Sequence, residues 1–335
     1  MAEPTMRAWR VTSHGEPAEV LRLDEVPVPR ATPGEVLVHV RAVAINFPDV
    51  LLSRGMYQER PDLPFVPGIE LCGDVVALGA GVDGFEVGER VVGSRIGVLS
   101  EYAVLPARAV RRAPEGLDDA QAAALTIAYQ TAWFGLHHRA ALREGEHLLV
   151  HAAAGGVGTA AVQLGAAAGA RVIGVVGSAP KVDVASAAGA EHVLVRGDDL
   201  AAQVKDLTGG AGVDVVFDPV GGSAFDQSTR CIAFEGRIVV VGFAGGRVPE
   251  VRANHLLVKN YGVLGLHWAL YQARRPDLVD AAHEELSRLA ASGAVRPVVG
   301  DVVPFEAAPE AVQRLADGTT SGRLVVRVAE QTAVA

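Results

Sequence analysis

The residues of this 335-residue chain best suited to chemistry are His151–Thr159, H-A-A-A-G-G-V-G-T. Ala153-x-Gly155-x-x-Gly158 has the spacing of a dinucleotide fingerprint, with alanine in the first glycine place. Glycine at 155 lets the backbone approach a pyrophosphate, and glycine at 158 lets a helix pack closely on the preceding strand. The turn Ala154, Gly155, Gly156, Val157 and Gly158 then presents free N–H groups and the positive end of a helix to an anion. The chemistry this predicts is capture of a dinucleotide.

The choice of dinucleotide rests on the next strand end. An enzyme for NAD carries an acidic residue about 20 residues on, to hold the ribose hydroxyls. Here the chain reads Val175-Val176-Gly177-Ser178-Ala179-Pro180-Lys181, with no carboxylate before Asp183. The Ser178 hydroxyl and the Lys181 cation suit a 2′-phosphate, which points to NADPH. Arg196, after the third strand, could supply a second cation or stack on adenine.

These residues need a strand–turn–helix frame, and the sequence supplies one. From Leu148 onward apolar strands alternate with helical stretches: Leu148–His151, Gly158–Gly169, Arg171–Val176, Lys181–Ala188, His192–Val195, Val213–Phe217 and Arg237–Gly242. Such alternation predicts an α/β fold, a doubly wound parallel sheet with helices on both faces. Residues 1–125 are instead β-rich with proline and glycine punctuation, and a strand returns at Ser321–Val328 after the alternating region. The expected division is 1–125, 126–265 and 266–335.

Composition excludes several classes. Lys and Arg number 30 against 39 Asp and Glu, a net charge of −9 with no long basic run, which argues against nucleic-acid binding. Residues 148–170 lack Lys, Arg, Asp and Glu, but their five glycines and strand-to-helix pattern predict a buried βα unit rather than a membrane span. Two distant cysteines, Cys72 and Cys231, build neither a disulfide framework nor a metal site, and fit a reducing, cytoplasmic setting.

Taken in order, N-F-P-D at Asn46–Asp49, P-F-V-P-G-I-E at Pro64–Glu70, G-F-E-V-G-E-R-V at Gly84–Val91, the glycine turn, D-P-V-G-G at Asp218–Gly222 and S-G-R-L-V at Ser321–Val325 make the chain similar to a known family. It resembles the medium-chain dehydrogenase/reductase superfamily, in its zinc-free, zeta-crystallin-like quinone oxidoreductase branch. The resemblance implies a GroES-like catalytic domain with the Rossmann domain inserted in it and the cofactor in the cleft. Where zinc relatives carry Cys and His ligands, this chain has Asn46 and Ile69, so no metal is expected. The resemblance places Asn46, Tyr57 and Thr131 as the catalytic set, orienting reactants and stabilising charge on an acceptor oxygen. It puts Gly242 and Phe243 at the nicotinamide end, lets Arg323 reach the cofactor phosphates, and implies a homodimer joined near Val263–Trp268. Asp49 reads as a helix-start charge before a proton relay.

A metal-free site favours an acceptor that is already electrophilic, so the expected activity is NADPH-dependent reduction of a quinone or similar conjugated carbonyl. Two alternatives stay open. One is reduction of enones or enoyl thioesters, for which Arg54, Arg60, Arg95 and Arg274–Arg275 could form a basic channel. The other is a non-catalytic NADPH-binding role.

Overall fold

A computed structural model describes residues 3–328. The chain divides into two compact units, Met1–Ile127 with Val299–Ala335, and Ala128–Val298. The sequence expectation returned the chain to the first unit at residue 266. The second unit instead keeps the helices Trp268–Arg274 and Pro276–Ala291, tied to it by Trp268 Nε1 donating to Gln130 Oε1 (2.9 Å) and Trp133 Nε1 donating to Glu285 Oε2 (2.8 Å).

The second unit is built on six parallel strands. Across the sheet they run His192–Val195, Arg171–Val176, His147–His151, Val213–Asp218, Ile232–Val240 and Gly262–Gly265. The first strand in the chain therefore lies third, and the order reverses between His147–His151 and Val213–Asp218. Reversal points of this kind are where doubly wound sheets bind ligands, at the carboxyl ends of the strands. Leu149, Ile173, Val213, Val216, Phe225 and Ile238 form the core beneath. The strands read as continuous Val/Ile/Leu runs because helices cover both faces.

The first unit carries a seven-stranded sheet in which Glu35–Ile45 is central. It pairs with Arg323–Arg327, Glu70–Leu78 and Tyr102–Pro106. Alternating burial along Val36, Val38 and Val40 turns these side chains into the core, with Leu71, Val91, Leu105 and Leu324.

The sequence over Thr131–Ala141 reads as an ordinary helix, and the structure differs. An α-helix over Thr126–Trp133 passes into a π-helical stretch, Phe134–Arg139. The His137 ring lies 6.0 Å from Trp133 and the His138 ring 5.7 Å from Phe134, both packed on aromatics. Among the described residues no helix is long and apolar enough to cross a membrane.

Candidate functional site

The glycine turn sits at the sheet's reversal point. His147–His151 ends, Ala152 takes a left-handed φ of 50°, and the helix Gly156–Ala167 starts with Gly155 as its N-cap. A Cβ on Gly158 would lie 2.0 Å from the Ala152 carbonyl oxygen, so only glycine lets the helix approach the strand this closely. Ala153 fills the first glycine place without strain: it is buried, and the Cβ of a side chain at Gly174 would meet it at 3.0 Å. Gly155, Gly156 and Val157 stay partly accessible, leaving the helix N-terminus open to an anion.

At the end of the second strand, Gly177, Ser178 and Arg196 are exposed and Lys181 is partly exposed. Arg196 follows the third strand, and its backbone N–H donates to Val176 O (2.9 Å). Its guanidinium lies 3.4 Å from where a Cβ on Gly177 would stand. The position at which an NAD enzyme would carry a carboxylate is thus empty of side chain and bordered by a cation. This cradle fits a 2′-phosphate.

Gly242 and Phe243 follow the strand Ile232–Val240. Their loop locks onto the turn Pro219–Gly222 through Ala244 N–H to Pro219 O (3.1 Å), Gly245 N–H to Val220 O (2.9 Å) and Gly222 N–H to Arg247 O (3.0 Å). Gly221 has φ of 67°, and a Cβ there would meet the Phe243 ring at 3.2 Å. Phe243 itself is 43 % exposed. Thr131 is buried on the helix Thr126–Trp133.

In the first unit Asn46 precedes the helix Phe47–Ser53. Its side-chain amide donates to Ala44 O (3.0 Å) and Glu70 Oε1 (2.8 Å), and its oxygen accepts from Arg323 Nη1 (2.9 Å). Arg323 also pairs with Glu70, whose second oxygen accepts from Ile127 N–H at 2.8 Å. These partners meet because the antiparallel register sets Leu324 opposite Ile45 and Leu71 opposite Val43, bringing 323, 46 and 70 to adjoining strand ends.

This corrects two expectations. Arg323 is 4 % exposed and neutralises Glu70, so it is not presented to a cofactor phosphate. Asn46 is 3 % exposed with both amide hydrogens engaged, so it organises the cluster instead of offering a donor to an acceptor.

Asp49 sits at the start of the helix Phe47–Ser53 as the partner of the Asn46 backbone. One carboxylate oxygen accepts from Asn46 N–H (2.7 Å) and the other from Gly68 N–H (3.1 Å). Burial pushes its carboxyl up to about 7, with Glu70 adding to the rise and the two N–H donors and Arg323 opposing it. Burial also raises the Glu70 carboxyl, against the pull of Arg323. Tyr57 packs half-buried on the core, and burial with Glu59 and Asp49 lifts its hydroxyl above the ordinary value, keeping it a neutral donor. Glu70, His151 and Asp218 stand inside the motifs of the sequence with no role expected of them. The signal was their polarity within otherwise apolar strand ends.

Residues 156–284 match the zinc-binding dehydrogenase family and residues 32–115 the alcohol dehydrogenase GroES-like domain. The quinone oxidoreductase-like protein 2 homolog of Nematostella vectensis is 38 % identical over 87 % of this chain and 81 % of its own length. Erythronolide synthase EryA2 of Saccharopolyspora erythraea is 37 % identical over 88 % of this chain, a stretch that is 8 % of that much longer protein. Among solved structures, a probable oxidoreductase from Mycobacterium abscessus superposes with a TM-score of 0.90 at 36 % identity, covering 98 % of this chain and all of that one. The Escherichia coli quinone oxidoreductase complexed with NADPH superposes with a TM-score of 0.89 at 32 % identity, covering 96 % of this chain and all of that one.

The word zinc in the first match is not met by the residues here. Ile69 is aliphatic, the Asn46 amide is fully engaged, and among the described residues no group of three or more His, Cys, Asp and Glu side chains could hold a metal ion. The chain is an oxidoreductase belonging to the medium-chain dehydrogenase/reductase superfamily, in its zinc-free quinone oxidoreductase branch.

Proposed function

We propose that this oxidoreductase uses NADPH to reduce a quinone or similar conjugated carbonyl acceptor. The observation that carries the cofactor choice is the Arg196 guanidinium bordering Gly177, beside Ser178 and Lys181 and in place of a carboxylate. NADPH, when bound, supplies a hydride. The chain's own residues do the rest. The N–H groups of Gly156, Val157 and Gly158 at the helix start hold the pyrophosphate over Ala154 and Gly155, whose own N–H donates to Ala152 O, and Ser178, Lys181 and Arg196 hold the 2′-phosphate. Gly242, Phe243 and Thr131 line the nicotinamide end. The neutral Tyr57 hydroxyl donates to the acceptor oxygen, and water supplies the proton that completes a hydroquinone.

The similarity to part of a polyketide synthase favours a second reading, reduction of an enoyl thioester. The arginines expected to form a basic channel for it are largely engaged: Arg54 with Glu16, Arg95 with Glu35 and Arg275 with Asp277. This weighs towards the quinone.

The partner is a second copy of the chain. Gly262–Gly265 is the edge of the six-stranded sheet; Phe234 on the neighbouring strand Ile232–Val240 is 70 % exposed, and Leu257 and Val258 on the helix Ala253–Lys259 before it are 78 % and 76 % exposed. Burial pushes the Cys72 thiol up to about 12 and the Cys231 thiol up to about 11, so both stay unreactive thiols, in keeping with a reducing cytoplasmic setting.

The test is NADPH oxidation followed at 340 nm with quinones, enones and enoyl thioesters side by side. Turnover of quinones with NADPH well above NADH supports the reading. Preference for thioesters would replace it with the second, and absence of NADPH binding by calorimetry on folded protein would remove both.

A further inference from the structure

Three buried polar side chains of the second unit have no part in the reading above. His151 ends one strand and Asp218 ends its parallel neighbour. The register runs Leu148–Val215, Leu149–Val216 and Val150–Phe217, so His151 and Asp218 stand next in line, on the two sides of the sheet's reversal point. Side chains at matching positions of parallel neighbours share a face. His151 is 1 % exposed and Asp218 0 %.

The ring nitrogen Nε2 lies 2.7 Å from Ser228 Oγ, on the helix Gly222–Cys231. The other ring nitrogen, His151 Nδ1, and the carboxylate oxygen Asp218 Oδ2 both lack a hydrogen-bond partner. Asp218 Oδ1 already accepts from Val220 N–H (2.8 Å) and Gly221 N–H (2.9 Å). Buried groups of this kind are nearly always satisfied, so two side by side need an account.

The chemistry of the ring narrows it. Burial lowers the His151 pKa, with Arg196 adding to the effect and the Asp218 carboxylate opposing it, so the imidazole is neutral and carries one N–H. With the proton on Nε2, a bare Nδ1 lone pair would stand beside a carboxylate. With the proton on Nδ1, a donor stands beside an unfilled acceptor, and the Ser228 hydroxyl turns from the Ala224 carbonyl oxygen (3.0 Å) on its own helix to donate its one proton to Nε2. The order Ser–His–Asp invites comparison with a nucleophile, but Ser228 is 0 % exposed and no substrate reaches it.

Position in the chain supplies the role. His151 is the last residue before the turn Ala152–Gly155, and Asp218 the last before Pro219–Gly222. We propose that His151 and Asp218 are positioning residues for the dinucleotide, joined by an Nδ1–H to Oδ2 hydrogen bond that closes as the cofactor seats and sets the two turns meeting it at the reversal point. This rests on the NADPH reading.

Substitution can divide the ring's two ends, since asparagine places its amide near Nδ1 and glutamine near Nε2. The dissociation constant for NADPH and the melting temperature are measured on the full chain for the wild type, His151→Asn, His151→Gln and Ser228→Ala. His151→Gln is expected to weaken NADPH about ten-fold, on the scale of one charge-assisted hydrogen bond. His151→Asn and Ser228→Ala are expected to stay within about three-fold even where melting temperature falls. The 15N spectrum of the wild-type complex should show the His151 proton on Nδ1. Equal losses for the Asn and Gln variants, affinity that merely follows melting temperature, or a proton on Nε2 would each overturn the proposal. A wild type that does not bind NADPH would instead overturn the cofactor reading on which it stands.

Discussion

On the proposed reading, single residues set the choice between the two dinucleotides through charge. Arg196→Ala should weaken NADPH by ~1–3 kcal/mol and leave NADH nearly unchanged, because the lost contact is to the extra phosphate alone. Lys181→Ala should act in the same direction, and fluorescence titration with both dinucleotides checks each. Equal losses for the two cofactors would remove the residue from this role. A third residue, Asp49, ties stability to protonation. Its carboxyl is raised from 3.8 to about 7 in the folded chain, so the folded state holds a proton that the unfolded state has released. That contribution is complete below pH ~4 and is lost as pH climbs through about 7, at roughly 1.4 kcal/mol per pH unit. Asp49→Asn should abolish this part of the slope. Calorimetric unfolding of both proteins between pH 4 and 8 would show it, and parallel pH profiles would count against the assignment.

At the scale of elements, the strand–turn–helix around the fingerprint is held by one close approach. Gly158→Ala places a methyl 2.0 Å from the Ala152 carbonyl oxygen, so the helix must retreat from the strand. The expected cost is ~1–3 kcal/mol of stability together with loss of the cofactor cradle, read by thermal unfolding and NADPH titration. An unchanged affinity would mean the turn does not receive the dinucleotide. This unit was legible in the sequence because an apolar run, a glycine turn and an alanine-rich helix are all local signals. The π-helical stretch at Phe134–Arg139 was not, since its apolar spacing suits an ordinary helix. Packing supplies the difference: Gly135 lies against Phe217, and the Phe134 ring is 4.3 Å from that of Tyr271.

At the scale of the whole molecule, the open sheet edge and its exposed apolar residues predict self-association. Leu257→Glu with Val258→Glu should shift a dimer to monomer in sedimentation equilibrium while leaving the fold intact by circular dichroism. A wild type that is already monomeric at micromolar concentration would remove the dimer from the account. The extent of the second unit also belongs to this scale. The apolar spacing of Leu278, Ala281 and Leu286 marks a helix but not the body it joins, and that was decided by distant partners, Gln130 for Trp268 and Glu285 for Trp133.

Local order along the chain was enough to determine the glycine turn, the alternation that builds a parallel sheet and the absence of an acidic residue after the second strand. Only the tertiary structure decided what Arg323, Asn46 and Glu70 do. Their residue types suit solvent, phosphate or substrate equally well. Strand pairing across the first unit buries all three together, and a buried guanidinium must be neutralised by the nearest carboxylate. His151 and Asp218 follow the same rule: each is one polar residue at the end of an apolar strand until the register sets them side by side.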